Sequence, residues 1–208
     1  MKKSLTLACA LAGLLWAGTA AARPPGQSGD LAISAERLFG FYMGEQERDR
    51  EGPAPAIETD ISNFALLWNF NTSFLNQPRL SLDYFVTNGL SLGGAFGVFV
   101  AKAEDSDATG ILFEGRVGYH LSLGRVAGFW PRGGLVYYTI NADDFVIGDL
   151  HQLALSLQAM FTLSPRDGWA FLLGPTIDFG ITGESGNDVD FQEYTIGIMI
   201  GILGWVPL

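Results

Sequence analysis

Apolar and polar residues alternate along most of this chain, and the alternation predicts β-strands. Leu80, Leu82, Tyr84 and Val86 fall on one face of their segment, and Arg79, Ser81, Asp83 and Phe85 on the other. A strand turns successive side chains to opposite sides, so each such run has one apolar and one mixed face. The pattern resumes after Thr87-Asn88-Gly89, with Leu90, Leu92, Phe96, Val98 and Val100 against Ser91, Gly93, Ala95 and Gly97. Residues paired across a hairpin share a face, so Val86 belongs opposite Leu90. That spacing predicts a three-residue turn with Gly89 left-handed, because a two-residue Asn-Gly turn would reverse one strand's faces.

The same rhythm recurs. Phe113, Val117, Tyr119 and Leu121 oppose Glu114, Arg116, Gly118 and His120; Leu135 and Tyr137 oppose Arg132, Gly134 and Tyr138. Leu153, Leu155, Leu157 and Phe161 oppose Gln152, Ser156 and Gln158, and Phe171, Leu173, Ile177, Phe179 and Ile181 oppose Gly174, Thr176 and Asp178. Ile196, Ile198, Ile200 and Ile202 oppose Thr195, Gly197 and Gly201, while Leu31, Ile33, Phe39, Phe41 and Met43 oppose Asp30, Ser34, Glu36, Gly40 and Tyr42. Runs of about ten residues suit strands that cross a bilayer at a tilt. Connections near Thr87, Gly124 and Ser164–Gly168 are short, and those at 45–77, 103–110, 141–149 and 184–192 are longer and acidic. Short turns at one end and long loops at the other predict an all-β fold, a transmembrane antiparallel up-and-down barrel of about eight strands. Two features fit poorly. Residues 61–70 could form a ninth strand but are assigned to the first long loop, extending the first hairpin above the membrane, to keep the count even. Arg37 falls on the apolar face beside Glu36, which calls for a snorkelling side chain or a bulge.

The chain's start adds an address. Lys2 and Lys3 precede an apolar run from Leu5 to Trp16 and the small residues Ala20–Ala22, which reads as a signal peptide over 1–22 and a mature domain over 23–208. Cys9, the sole cysteine, lies in the leader, so the mature domain has no thiolate or disulfide chemistry. The formal net charge of −10 argues against a nucleic-acid partner.

The mixed faces would line a lumen only wide enough for its own side chains. Glu36, Arg79, Asp83, Glu114, Arg116, Arg132 and Asp178 are the candidate charge network there. Charges in so narrow a space must pair, which points to a salt-bridged plug, with a gated ion path through the same charges as the competing reading. Trp130, Trp169 and Trp205 at the short-turn ends, and Tyr42, Tyr137 and Tyr194 at the other, are candidate aromatic belts. His120 and His151 lie at opposite ends, and Ser156 has the wrong parity to serve His151. No catalytic, cofactor or metal constellation is expected. The acidic connections, among them Glu45, Glu47, Asp49, Glu184 and Asp190, read either as solvated loops or as oxygen ligands for divalent cations.

Taken together, Arg79–Gly93, Trp130-Pro131-Arg132 and the closing Gly197–Trp205 run resemble the OmpA-like and OmpX-like class of small bacterial outer-membrane barrels. The resemblance covers nearly the whole mature chain. It implies a Gram-negative outer-membrane location, contact with lipid and lipopolysaccharide, folding by the barrel-assembly machinery and a monomer. In that class a terminal aromatic is read during assembly; here Val206-Pro207-Leu208 follows Trp205. The expected role is structural or surface-interacting with a largely plugged lumen. A small porin-like channel for ions or apolar solutes is the alternative, and a lipid-modifying enzyme a more remote one.

Overall fold

The computed structural model describes residues 24–50, 56–66, 73–103, 106–143, 149–186 and 189–208. The expected leader, with Cys9, lies outside them. The strands are β1 (Asp30–Arg50), β2 (Ile57–Leu66), β3 (Arg79–Phe85), β4 (Leu90–Ala103) and β5 (Ser106–Tyr119), then β6 (Leu121–Ser122), β7 (Ala127–Asp143), β8 (Leu150–Arg166), β9 (Trp169–Ser185) and β10 (Val189–Pro207). The wall runs antiparallel in the order β1-β3-β4-β5-β7-β8-β9-β10, with β2 also on β1 and β6 on β7, and β10 returns to β1 from Asp30↔Pro207 to Arg50↔Val189, so the sheet closes. Closure leaves no edge between first and last strand, which is what a barrel needs in lipid.

The ten strands make eight wall positions because β2 and β3 share one, and β5 and β6, both paired with β7, share another. β3 pairs with β1 over Leu31–Glu36, and β2 takes over from Phe39 to Arg48. The segment from Ile61 to Leu66 is therefore wall and not only an extension above it; Phe64 and Leu66 are exposed on the outer face opposite Phe41 and Phe39. Residues 67–70 of that prediction lie outside the described residues.

The hairpin at Thr87–Gly89 has the inferred geometry. Val86 N–H donates to Leu90 O at 3.0 Å, and Gly89 has φ of 87°. The long connections are another matter. Strand ladders continue through most of them, with Lys102↔Asp107 and Glu45↔Asp60 still in register and Asp190↔Glu184 paired beyond a register shift between Asp190 and Tyr194. Ladder bonds join backbones and continue where the outer face turns from apolar to acidic. Polarity change thus marks where the apolar band ends and not where the strand ends.

The outer face is a continuous apolar band carrying Leu82, Phe113, Val117, Leu135, Phe171 and Ile198, all exposed. The lumen is filled. Towards the short turns, Phe85, Trp130, Met160, Leu172, Met199, Leu203 and Trp205 form one buried cluster. Towards the long hairpins, Leu75, Leu112, Val136, Tyr138, Ile140, Leu150 and Phe191 form a second. The charged residues lie between.

Candidate functional site

Alternation carries the seven inferred charged residues inward from five wall strands, and the narrow lumen makes them meet. Arg116 on β5 donates through Nη1 and Nη2 to the two carboxylate oxygens of Glu36 on β1, at 2.8 Å each. Its Nε and Nη2 reach Asp83 on β3 at 3.0 and 2.5 Å. Arg132 on β7 donates to Glu36 at 2.7 Å and to Gln158 on β8 at 2.5 Å. Gln158 in turn donates to Glu114 at 3.2 Å, and Arg79 donates to the other oxygen of Glu114 at 2.8 Å. The hydroxyls of Ser34 and Ser81 complete the shell of Glu36 at 2.6 and 3.0 Å. All seven residues of the inferred network are buried, and six of them form this one cluster. Asp178 sits apart, on β9.

Its partner is Arg37, the residue that fits the alternation poorly. Between Ala35 and Phe39 the ladder with β10 slips, and Arg37 adopts φ of 54°, the left-handed region that non-glycine residues seldom occupy. The bulge turns its side chain inward with that of Glu36. Arg37 Nη2 then meets Asp178 at 2.8 Å and donates to Thr176 at 3.0 Å. A charged residue that parity aims at lipid is the sequence signal for such a bulge.

The residues between β2 and β3 supply the other half of the site. Ser73–Pro78 does not continue the wall but packs inside the barrel, with Ser73, Leu75, Asn76 and Gln77 buried. The carbonyl of Leu75 accepts from Arg37 Nη1 at 2.6 Å and from Arg79 Nη2. Asn76 Oδ1 accepts from Arg37 at 3.2 Å, and Ser73 donates to Glu193. Glu193 also accepts from Tyr138 at 3.3 Å. Glu193 lies just past the acidic connection at 184–192 and is absent from the inferred network. Continuing the parity of Gly197 and Thr195 by one step reaches it.

Three of the six inferred belt residues are on the outer face: Tyr137, Tyr194 and Trp169, which stacks edge-on to Phe171 at 5.0 Å. Trp130, Trp205 and Tyr42 are inside the lumen instead. Their own parity says so, since Trp130 is in phase with Arg132 and Tyr42 with Gly40. Trp130 packs 5.4 Å from Phe85 and lies under the Arg132 guanidinium at 4.8 Å. An indole filling the barrel mouth explains why Gly118 faces it without a side chain, and Gly128 leaves room in the same way for His120 and Thr162.

The two histidines do not meet. His120 is buried at the short-turn end, 3.1 Å from Thr162 Oγ1. His151 is exposed beside Glu184 at 3.7 Å, and Ser156 on the same strand points inward. Among the described residues no group of three or more His, Cys, Asp or Glu could hold a metal ion.

The sequence matches no protein-family model and no curated protein. Its structure matches AlkL, solved by solid-state NMR in DMPC bilayers, at 15% identity and TM-score 0.51, covering 92% of this chain and 96% of that one. It also resembles the N-terminal β-barrel domain of Pseudomonas aeruginosa OprF, at 15% identity and TM-score 0.49, with 86% and 98% covered. OprG from the same organism matches at 12% identity and TM-score 0.49, with 88% and 98% covered. At such identities a likeness speaks of fold, and the fold is that of small outer-membrane barrels.

Proposed function

We propose that this chain is a bacterial outer-membrane barrel with a structural or surface-interaction role, and that its lumen is closed to ions. One observation carries the reading: the lumen's paired charges are packed between two buried apolar clusters. An ion crossing the barrel would have to separate buried pairs on the way, and removing one partner of such a pair typically costs about 3–5 kcal/mol. The apolar outer band supports insertion in lipid, with the acidic hairpins outside the cell and the short turns in the periplasm. Lipid and lipopolysaccharide are then the immediate partners, and insertion goes through the barrel-assembly machinery after loss of a leader at 1–22. The separated histidines support a non-enzymatic role.

The test is planar-bilayer recording of detergent-folded protein, after a shift in mobility between unheated and boiled gel samples has shown a closed barrel. Silence at potentials where porins conduct is the expected result. Steady channels that vanish with Arg116→Ala would overturn the closed lumen in favour of the channel reading.

A further inference from the structure

Ser73–Gln77 occupies the long-hairpin end of the lumen as a bound molecule would. Its apolar side chains meet the wall: Leu75 is fully buried in the cluster of Leu112, Tyr138 and Ile140, and the Phe74 ring lies 5.2 Å from Phe99 and 5.8 Å from Tyr138. Its oxygens meet the charged layer, the Leu75 carbonyl taking bonds from Arg37 and Arg79 together. The wall closes around the segment without using it, since the ladders of β1 with β2 and with β3 bracket it. Beside Phe74 a cleft of about 10 Å³ remains, room for roughly one water, so a larger molecule cannot enter there without moving Phe74.

The chemistry of that place is specific. Arg37 is paired with Asp178 and Arg79 with Glu114, so the two guanidinium groups are already neutralised. They ask for an acceptor oxygen and not for another negative charge. On the wall side, Arg37 Nε and Arg79 Nε are buried and have no hydrogen-bond partner among the described residues. The walls beyond ask for apolar surface.

We propose that this compartment is a binding site for a neutral, largely apolar molecule bearing one carbonyl oxygen, and that Ser73–Gln77 is its built-in occupant, displaced when the molecule binds. The inference rests on the closed-barrel reading above and is independent of whether the lumen conducts. In the displaced state the ligand oxygen takes the two bonds now held by Leu75 O, and its apolar body replaces Phe74 and Leu75 against Phe99 and Tyr138.

The experiment follows cysteine labelling by a water-soluble maleimide in the folded full-length chain with Cys9→Ala. Ser73→Cys is nearly isosteric and reports on the segment; Leu75→Cys is a second reporter should the first fold poorly. Leu172→Cys, in the other apolar cluster, is the buried reference. The probe is acetophenone, with ethylbenzene as its counterpart of similar shape lacking the oxygen. Acetophenone is expected to speed labelling of the segment at least about ten-fold over the reference by favouring a locally opened state, with ethylbenzene clearly less effective. Segment cysteines that stay as inert as Leu172→Cys in acetophenone would overturn displacement, and equal effects of the two probes would overturn the acceptor-oxygen assignment. Absence of a heat-dependent gel shift in the unlabelled protein would instead strike at the barrel reading itself.

Discussion

Arg116 and Glu36 face each other across the barrel axis with two parallel hydrogen bonds of 2.8 Å, and the same guanidinium holds Asp83 on its other edge. A planar fork that satisfies two carboxylates at once is a task a lysine cannot take over. Arg116→Ala should therefore lower stability by about 3–5 kcal/mol, because two buried carboxylates lose their shared partner. Urea titration followed by the unheated gel band measures this. Arg116→Lys should recover less than half of the loss.

Arg37 supplies a test of backbone against side chain. Arg37→Ala and Arg37→Gly both remove the ion pair with Asp178, but only glycine accepts φ of 54° without strain. The glycine variant should be the more stable of the two by about 1–2 kcal/mol in urea, the usual cost of a left-handed residue. Equal stabilities would mean that the bulge relaxes once the side chain is gone.

The placement of the indoles can be read by fluorescence. In bilayers of brominated lipid, Trp169→Phe should remove part of the quenchable emission, since Trp169 is on the outer face beside Phe171. Trp130→Phe should leave the quenched emission unchanged, because Trp130 is wholly enclosed. Quenching lost on Trp130→Phe would place that ring in lipid after all.

Gly118 lies where a side chain would strike Trp130. A Cβ built there comes within 2.6 Å of the Trp130 indole nitrogen and 2.8 Å of Arg132. Gly118→Val should destabilise the barrel by about 1–3 kcal/mol through overpacking, measured again in urea. The companion change Gly124→Val, at a turn with open space around it, meets a different obstacle, its φ of 141°, and reports the backbone cost alone.

Alternation of two is a strong signal wherever one face meets apolar surroundings, so the orientation of Leu80 to Phe85 and the turn at Gly89 were legible from the sequence. So were the seven charged residues that face inward, because in a narrow barrel parity is nearly equivalent to location. Two things were not. Parity fails at a bulge, and Arg37 could be recognised only as a misfit, with its partner Asp178 some 140 residues away in the chain. The inserted Ser73–Gln77 segment has no periodicity to read, since its conformation is set by the lumen groups that grip it and not by neighbours in sequence. Trp130 shows a different error. Its chemistry suggested an interface, while its parity with Arg132 pointed to the interior, and the positional argument was the better one.

The interior layer also shapes what the barrel presents at a distance. Arg37, Arg79, Arg116 and Arg132 are spent on Glu36, Asp83, Glu114 and Asp178, a group whose formal charges cancel. The chain's net charge of −10 therefore resides entirely elsewhere, and the exposed Glu45, Glu47, Asp49, Glu58, Asp60, Glu184 and Asp190 gather a share of it on the long hairpins. Such a fringe pushes polyanions away and concentrates cations, over a range of about 8 Å at physiological ionic strength. Approach to the hairpin tips is then governed by salt, with arginines that could have softened the repulsion locked out of reach inside.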